Sequence, residues 1–408
     1  MRVLALPSAL PAGAIIVTMT LVRGGWVVLV SSFLTAHWMA GQNADTVRAV
    51  GKLELHRVIE RQLGPGQTDE YRIGVAGGQF VRLVARQMGV DVIVTVLDPR
   101  GKTVLEADRL NGVFGPEAAS WVADISGQYL VRISSSSPTA GRYDMELVEQ
   151  REPTAADRSR IEAERAGWQA ERERKVGSRS ARLRSIELYE VAGSIWRALK
   201  DVYEGALSLS TIASIYSDLG QKQKALDYFG QALPLFRASG DRPGEAQTLS
   251  NIGAMSDALG DQRKALDYFG RALPLFRAAG DRPGEAMTLS NIGAMHDALG
   301  DKQEALDYYG QALPIRRAVG DRSGEAGTLN NIGIVYAELG EMQKALDYYG
   351  QALPIRRAAG DRPGEAGTLN NIGAVYDSLG EKQKALDYYG RALPIRRASA
   401  TAPAKPGL

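Results

Sequence analysis

The chain has no cysteine, and its three histidines, His37, His56 and His296, lie in three separate segments. Without thiols there is no disulfide, no thiolate zinc site and no cysteine nucleophile. Without clustered imidazoles a histidine metal centre or a catalytic triad has nothing to be built from. One sign of charge is not in excess either: the net charge is +2 over 408 residues, so no global field draws nucleic acid or an acidic substrate. These absences lead us to expect a non-enzymatic protein with no cofactor, no metal and no nucleic-acid partner. What is present is ordinary folded material, 44% hydrophobic and 24% charged, long enough for two or three modules.

Long apolar runs occur only at the start, in residues 1–44. Val3–Val22 and Gly24–Ala40 are split by Arg23. Translation from Met19 would give a short basic leader, an apolar stretch and then polar Gly41-Gln42-Asn43, the layout of a secretory signal peptide. Trp38 spoils the small-x-small cleavage pattern before a cut after Ala40, so an uncleaved membrane anchor stays open as the alternative. Either reading puts the protein outside the cytoplasm, in the periplasm or at the cell envelope.

Residues 51–150 change to a period of two. Tyr71, Ile73 and Val75 alternate with polar neighbours, as do Tyr129, Val131 and Ile133, and Tyr143, Met145 and Leu147. Gly64-Pro65-Gly66, Gly77-Gly78, Asp98-Pro99-Arg100-Gly101 and Ser126-Gly127 punctuate them. Many short strands at this spacing predict an antiparallel β-sandwich. Gly66-Gln67-x-x-x-Tyr71, Leu97-Asp98-Pro99-x-Gly101, Gly127-Gln128-Tyr129 and Gly141-Arg142-Tyr143 resemble the bacterial pre-peptidase C-terminal domain. That family is a small jelly-roll-like accessory module of exported proteins, and the resemblance implies an accessory or adhesion role. Asp91 and Asp98 are imaginable as calcium ligands, although turn formation accounts for Asp98 equally well. Residues 151–184 carry mixed-sign charge with few apolar side chains, which predicts an exposed helical linker; interleaved glutamates speak against a nucleic-acid patch.

From 185 to 400 a forty-residue unit recurs. Leu249, Leu289, Leu329 and Leu369 keep step with Gly253, Gly293, Gly333 and Gly373, and with Ala265, Ala305, Ala345 and Ala385. A drifted copy supplies Ala213, Ala225 and Ala232, and half a copy more is visible at Ile186, Tyr189, Ala192 and Trp196. A period of this size means a solenoid of two-helix units. In each unit helix A carries an apolar stripe such as Leu369, Ile372, Val375, Tyr376 and Leu379, and Gly380 stops it. Helix B starts at Lys382, and Pro394 with its counterparts Pro274, Pro314 and Pro354 is expected to kink it. The pattern Leu-x-x-(Gly/Ala)-x-x-Tyr…Ala-x-x-x-(Tyr/Phe)-x-x-Ala resembles the tetratricopeptide repeat and matches five times, with Ser256 and His296 in place of the usual tyrosine. Its length and its Thr-Leu-Asn-Asn-Ile-Gly opening are similar to the kinesin-light-chain subgroup and to bacterial proteins that join such repeats to a caspase-like CHAT protease domain. The fold class expected is therefore α + β and multidomain: a sandwich followed by an all-α right-handed superhelix.

Helix A lines the concave side of such a superhelix. Residues just off its apolar stripe should face the groove: Asn251, Asn291, Asn331 and Asn371, with Asn330 and Asn370 beside the last two. An amide both donates and accepts, so a row of them can pair with the backbone of an extended peptide without reading its side chains. The resemblance to kinesin light chains implies that role, while bonding between neighbouring helices is the competing explanation. Asp297 and Asp377, which vary between repeats, would add specificity. The paired arginines Arg316-Arg317, Arg356-Arg357 and Arg396-Arg397 suit helix C-termini on a solvated outer face. The last repeat shows no polar replacement of its outward stripe before the tail at 401–408, so another domain or another copy of the chain is expected to cover it. The expected partner is an extended peptide or a protein. Two alternatives remain: a regulatory remnant of a repeat–CHAT protease without its catalytic domain, and a glycan- or matrix-binding protein acting through the sandwich.

Overall fold

The computed structural model describes residues 18–22, 25–29, 46–108, 114–135 and 140–401. Within the expected leader, β1 (Thr18–Val22) and β2 (Gly25–Leu29) pair antiparallel, Leu21 opposite Trp26. The rest of that segment, the cleavage position included, lies outside the described residues, as does the tail beyond Thr401. Among the described residues no helix is long and apolar enough to cross a membrane.

Nine strands then build two sheets. They are β3 (Thr46–Lys52), β4 (Val58–Leu63), β5 (Gln67–Val75), β6 (Phe80–Met88), β7 (Val92–Leu97), β8 (Thr103–Ala107), β9 (Phe114–Val122), β10 (Gly127–Ser135) and β11 (Gly141–Arg151). One sheet has the order β3-β5-β10-β7-β8 and the other β4-β11-β6-β9. All pairings are antiparallel except β3 with β5. The alternation read from the sequence is the inward face: Tyr71, Ile73, Val131 and Val96 of the first sheet share a core with Leu83, Trp121, Tyr143 and Met145 of the second. A polar lock crosses this core. The Tyr71 and Tyr143 hydroxyls meet at 2.6 Å, Tyr143 donates to Asp69 at 2.7 Å, and Arg48 pairs with the same carboxylate at 2.7 Å. Asp69 is fully buried, and a charge there is tolerable only because its oxygens are satisfied. Burial and the hydrogen bond from Tyr71 hold the Tyr143 hydroxyl far above the ordinary phenol range. Asp98 closes its turn by accepting the backbone N–H of Arg100 and Lys102, both at 2.9 Å, and it also pairs with the Arg100 guanidinium.

Twelve helices follow: α1 (Ala155–Val176), α2 (Arg179–Ala198), α3 (Val202–Asp218), α4 (Lys222–Ser239), α5 (Arg242–Ala258), α6 (Gln262–Ala279), α7 (Arg282–Leu299), α8 (Lys302–Ala318), α9 (Arg322–Glu338), α10 (Met342–Ala358), α11 (Arg362–Ser378) and α12 (Lys382–Thr401). Each odd-numbered helix packs on the even one after it. The charged segment at 151–184 is therefore no exposed linker. A capping box at Thr154 and Asp157 starts α1, which supplies the A helix of the unit completed by α2. Its Trp168 enters the sandwich core, and Glu164, 1% exposed, accepts the Ser120 N–H at 2.9 Å and the Ser120 hydroxyl at 3.0 Å on edge strand β9. The solenoid begins as an extension of the β-domain.

Inside the repeats one glycine row is dictated by close approach. A Cβ on Gly253, Gly293, Gly333 or Gly373 would come within 2.8, 2.9, 2.6 and 2.7 Å of the rings of Phe269, Tyr309, Tyr349 and Tyr389. The prolines do not interrupt helix B: α4, α6, α8, α10 and α12 run on through Pro234, Pro274, Pro314, Pro354 and Pro394. The residue four before each proline, whose carbonyl its ring would strike, is an exposed glycine in every copy: Gly230, Gly270, Gly310, Gly350 and Gly390. Glycine lets that carbonyl tilt toward water, where its missing partner is replaced.

At the ends of helix B the outer arginines stay exposed yet are tied to the next unit, while Arg316 and Arg356 turn inward. Arg237, Arg277, Arg317 and Arg357 donate through Nε to Glu245, Glu285, Glu325 and Glu365 at 2.7, 2.9, 2.8 and 2.8 Å. These glutamates are buried in the first turn of the next A helix, where a negative charge is favourable. Arg316 and Arg356 are largely buried beside Asp321 and Asp361.

Candidate groove on the A helices

Successive A helices, α3, α5, α7, α9 and α11, approach one another more closely than successive B helices do, so they form the inner side of the curve. On that side one stripe repeats with spacings of four and three residues, the spacing of a single helix face. It reads Gln247, Asn251, Ala254 on α5; Met287, Asn291, Ala294 on α7; Gly327, Asn331, Ile334 on α9; and Gly367, Asn371, Ala374 on α11. All four asparagines are half-buried. Each has a small residue on at least one side, and Asn371 on both, which leaves room for another backbone to approach. Sequence reasoning singled out the amides and overlooked Ala254, Ala294 and Ala374, although their distance of three residues from each asparagine carried the signal.

The amides are not equally available. Asn251 accepts from Gln247 on its own helix at 3.0 Å. Asn291 makes no hydrogen bond among the described residues. Asn331 lies beside the Tyr309 hydroxyl, which burial holds above its ordinary range. Asn371 donates to Asn330 at 3.2 Å.

Asn330 and Asn370 do not belong to this face. Asn330 is 8% exposed and its oxygen takes both the Thr368 hydroxyl and the Asn371 amide, each at 3.2 Å, from the next repeat. Asn370, with its oxygen turned inward, accepts from the Arg396 guanidinium, at 3.1 Å from Nε. Ser290 at the matching place meets Thr328 at 3.4 Å and Arg316 at 3.2 Å. The reason is geometric: one residue earlier on a helix is a rotation of about 100°, enough to turn a side chain from the open face into the seam between units. For these two asparagines the bond between neighbouring helices is what the structure shows.

The lower rim is acidic. Asp257, Asp297, Glu338 and Asp377 stand at or near A-helix C-termini, where a carboxylate is unfavourable beside the last carbonyls. Lys302 joins Asp297, at 2.7 Å, to Glu338, and Lys382 holds Asp377 at 2.6 Å. Above the rim, His296 stacks on Tyr308 at 5.3 Å just as Tyr336 stacks on Tyr348 at 5.5 Å, so the histidine substitutes for a ring in the packing.

Residues 204–278, 271–318 and 324–398 match the family model described as tetratricopeptide repeat, a little under half of the chain. No curated protein matches the chain in sequence. Among solved structures it is similar to BtubC (BKLC) from P. vanneervenii, 23% identical over 62% of this chain and 95% of that one, with a TM-score of 0.45. It is also similar to the apo form of RapI, 16% identical over 60% and 100%, TM-score 0.47. A third likeness is to the signal-transduction ATPase with a tetratricopeptide repeat sensor from Pyrococcus horikoshii, 18% identical over 60% and 38%, TM-score 0.46. With twelve helices in six pairs and the family match running through five of them, the C-terminal part of this chain is a tetratricopeptide-repeat solenoid.

Proposed function

We propose that the chain is a scaffold that holds an extended peptide, or an extended segment of a protein, in the groove of its A helices. The observation that carries this is the row of half-buried amides at Asn251, Asn291, Asn331 and Asn371, flanked mostly by small side chains. The peptide backbone pairs with the amides, and Asp257, which makes no ion pair among the described residues, favours a basic side chain on the ligand. Each such bond is worth on the order of 1 kcal/mol net, so affinity requires several repeats at once.

Asn251 and Asn291 test this cleanly, because neither bonds another repeat. Asn251→Ala with Asn291→Ala should abolish capture of array-selected basic peptides by the full chain and leave its helical melt unchanged. Capture that persists in the double variant removes the groove from the proposal.

The apolar run of residues 24–40 supports export or anchoring at the envelope, which cell fractionation of the full-length protein tests. The exposed side chains of α12, Leu386, Tyr389 and Leu393, support self-association through that face.

A further inference from the structure

A cleft of about 600 Å³ opens on the other side of α3, between the B helices α2 and α4. It is in the size range of pockets that hold small organic ligands. It stands apart from the amide row, whose counterpart on α3 is Thr211, and Thr211 does not line it. The cleft exists because two side chains that fill the same place in later repeats are glycine here. Gly193 stands forty residues before Leu233, Leu273, Leu313 and Leu353, and Gly205 forty before Glu245, Glu285, Glu325 and Glu365.

The second replacement also changes the charge. In the later units the arginine that ends helix B is neutralised by the glutamate eight residues on. Arg197 is the matching arginine of α2, its partner position is Gly205, and its side chain makes no ion pair among the described residues. Beside it, Lys200 lines the cleft with φ of 57°, in the left-handed region. Its N–H bonds Arg197 O at 3.1 Å and the next N–H bonds Trp196 O at 2.9 Å, the helix-ending arrangement that Gly240, Gly280, Gly320 and Gly360 provide in the later units. A lysine there is strained where glycine is not. The carboxylates of the cleft are already engaged: Glu190 accepts the Tyr228 hydroxyl at 2.9 Å, and Asp201 caps α3 and pairs with Arg160 at 3.0 Å. Leu209, Ile212 and Leu235 give the cleft an apolar wall, and Ser194, Ser208 and Gln231 are its neutral polar lining.

We infer that this cleft is a second binding site, for a small amphipathic organic anion whose acidic group meets Arg197 and Lys200 and whose apolar body lies against Leu209, Ile212 and Leu235. The site is built by departures from the repeat, so restoring the repeat should erase it without harming the fold. A Cβ at Gly193 meets only the Ser208 Cβ, at 3.6 Å, and one at Gly205 meets nothing within 4 Å.

The full chain is titrated with the fluorescent aromatic sulfonate 8-anilinonaphthalene-1-sulfonate and, in parallel, with its uncharged counterpart N-phenyl-1-naphthylamine. Gly193→Leu should fill the cleft and Gly205→Glu should place a carboxylate beside Arg197; each should weaken sulfonate binding by about tenfold or more. Lys200→Gly should raise the melting midpoint while weakening the sulfonate by about fivefold and leaving the neutral probe unaffected. Sulfonate affinity unchanged in both glycine variants overturns the site, since the dye then sits elsewhere, the exposed face of α12 included. A Lys200→Gly chain that gains stability with no loss of sulfonate affinity overturns the role of the lysine.

Discussion

The first and the last described helices of the stack are placed in opposite ways. At the first end, α1 buries Trp168 in the sandwich core and Glu164 satisfies the backbone of edge strand β9. At the other, α12 repeats the sequence of an interior helix, and among the described residues no further helix packs on it. Tyr349 is 2% exposed and Leu353 8%, whereas their copies Tyr389 and Leu393 are 36% and 48% exposed. Identical residues thus contribute differently according to what lies beyond them, which is the defining property of a linear array.

That contrast can be attacked directly. The largest effect is expected at the sealed end and in the interior: Trp168→Ala or Tyr349→Ala should each cost about 3–5 kcal/mol in chemical denaturation, as large buried aromatics do. Leu353→Ala should cost about 2–5 kcal/mol and Leu393→Ala less than about 1 kcal/mol, and equal costs would show that α12 is covered. Removing the carboxylate of Glu164 leaves the Ser120 N–H and hydroxyl unsatisfied, so Glu164→Ala should cost about 1–3 kcal/mol and loosen the sandwich from α1 in hydrogen exchange.

Acid should act on the same junction. Arg151 beside Asp157 holds that carboxyl down at about 2, so its contribution is complete above the ordinary carboxylate range and is lost as pH falls toward 2. Asp157→Asn should flatten this part of the stability–pH curve. The smallest change in stability is expected for Leu386→Lys with Leu393→Lys, which should leave the melt within about 0.5 kcal/mol while sedimentation at tens of micromolar shifts to the monomer. A wild-type chain that is already monomeric there ends the case for self-association.

The repeats were legible because their burial is settled by near-identical neighbours: the row from Gly253 to Gly373 is forced by a ring on the next helix, and it marks the period in the sequence. The sandwich was legible from its alternation. Docking of α1 was not, because Trp168 is a lone large side chain on a charged helix and its partner is a sheet whose edge no local pattern identifies; Ile161, seven residues earlier, was the only companion signal. Asn330 and Asn331 are the same residue type at adjacent positions, so composition could not tell seam from groove. Only the rotation between them does. The pairing of the exposed arginines at the ends of helix B was hidden because their glutamate partners stand in the following unit.

The interfaces between α5/α6, α7/α8, α9/α10 and α11/α12 are made by nearly the same residues in each copy, and any forty-residue block could be excised or duplicated with both cut edges still fitting. The length of the hollow is then a quantity inheritance can count up or down by unequal exchange, while the sandwich, joined to one terminus alone, fixes where the counting starts.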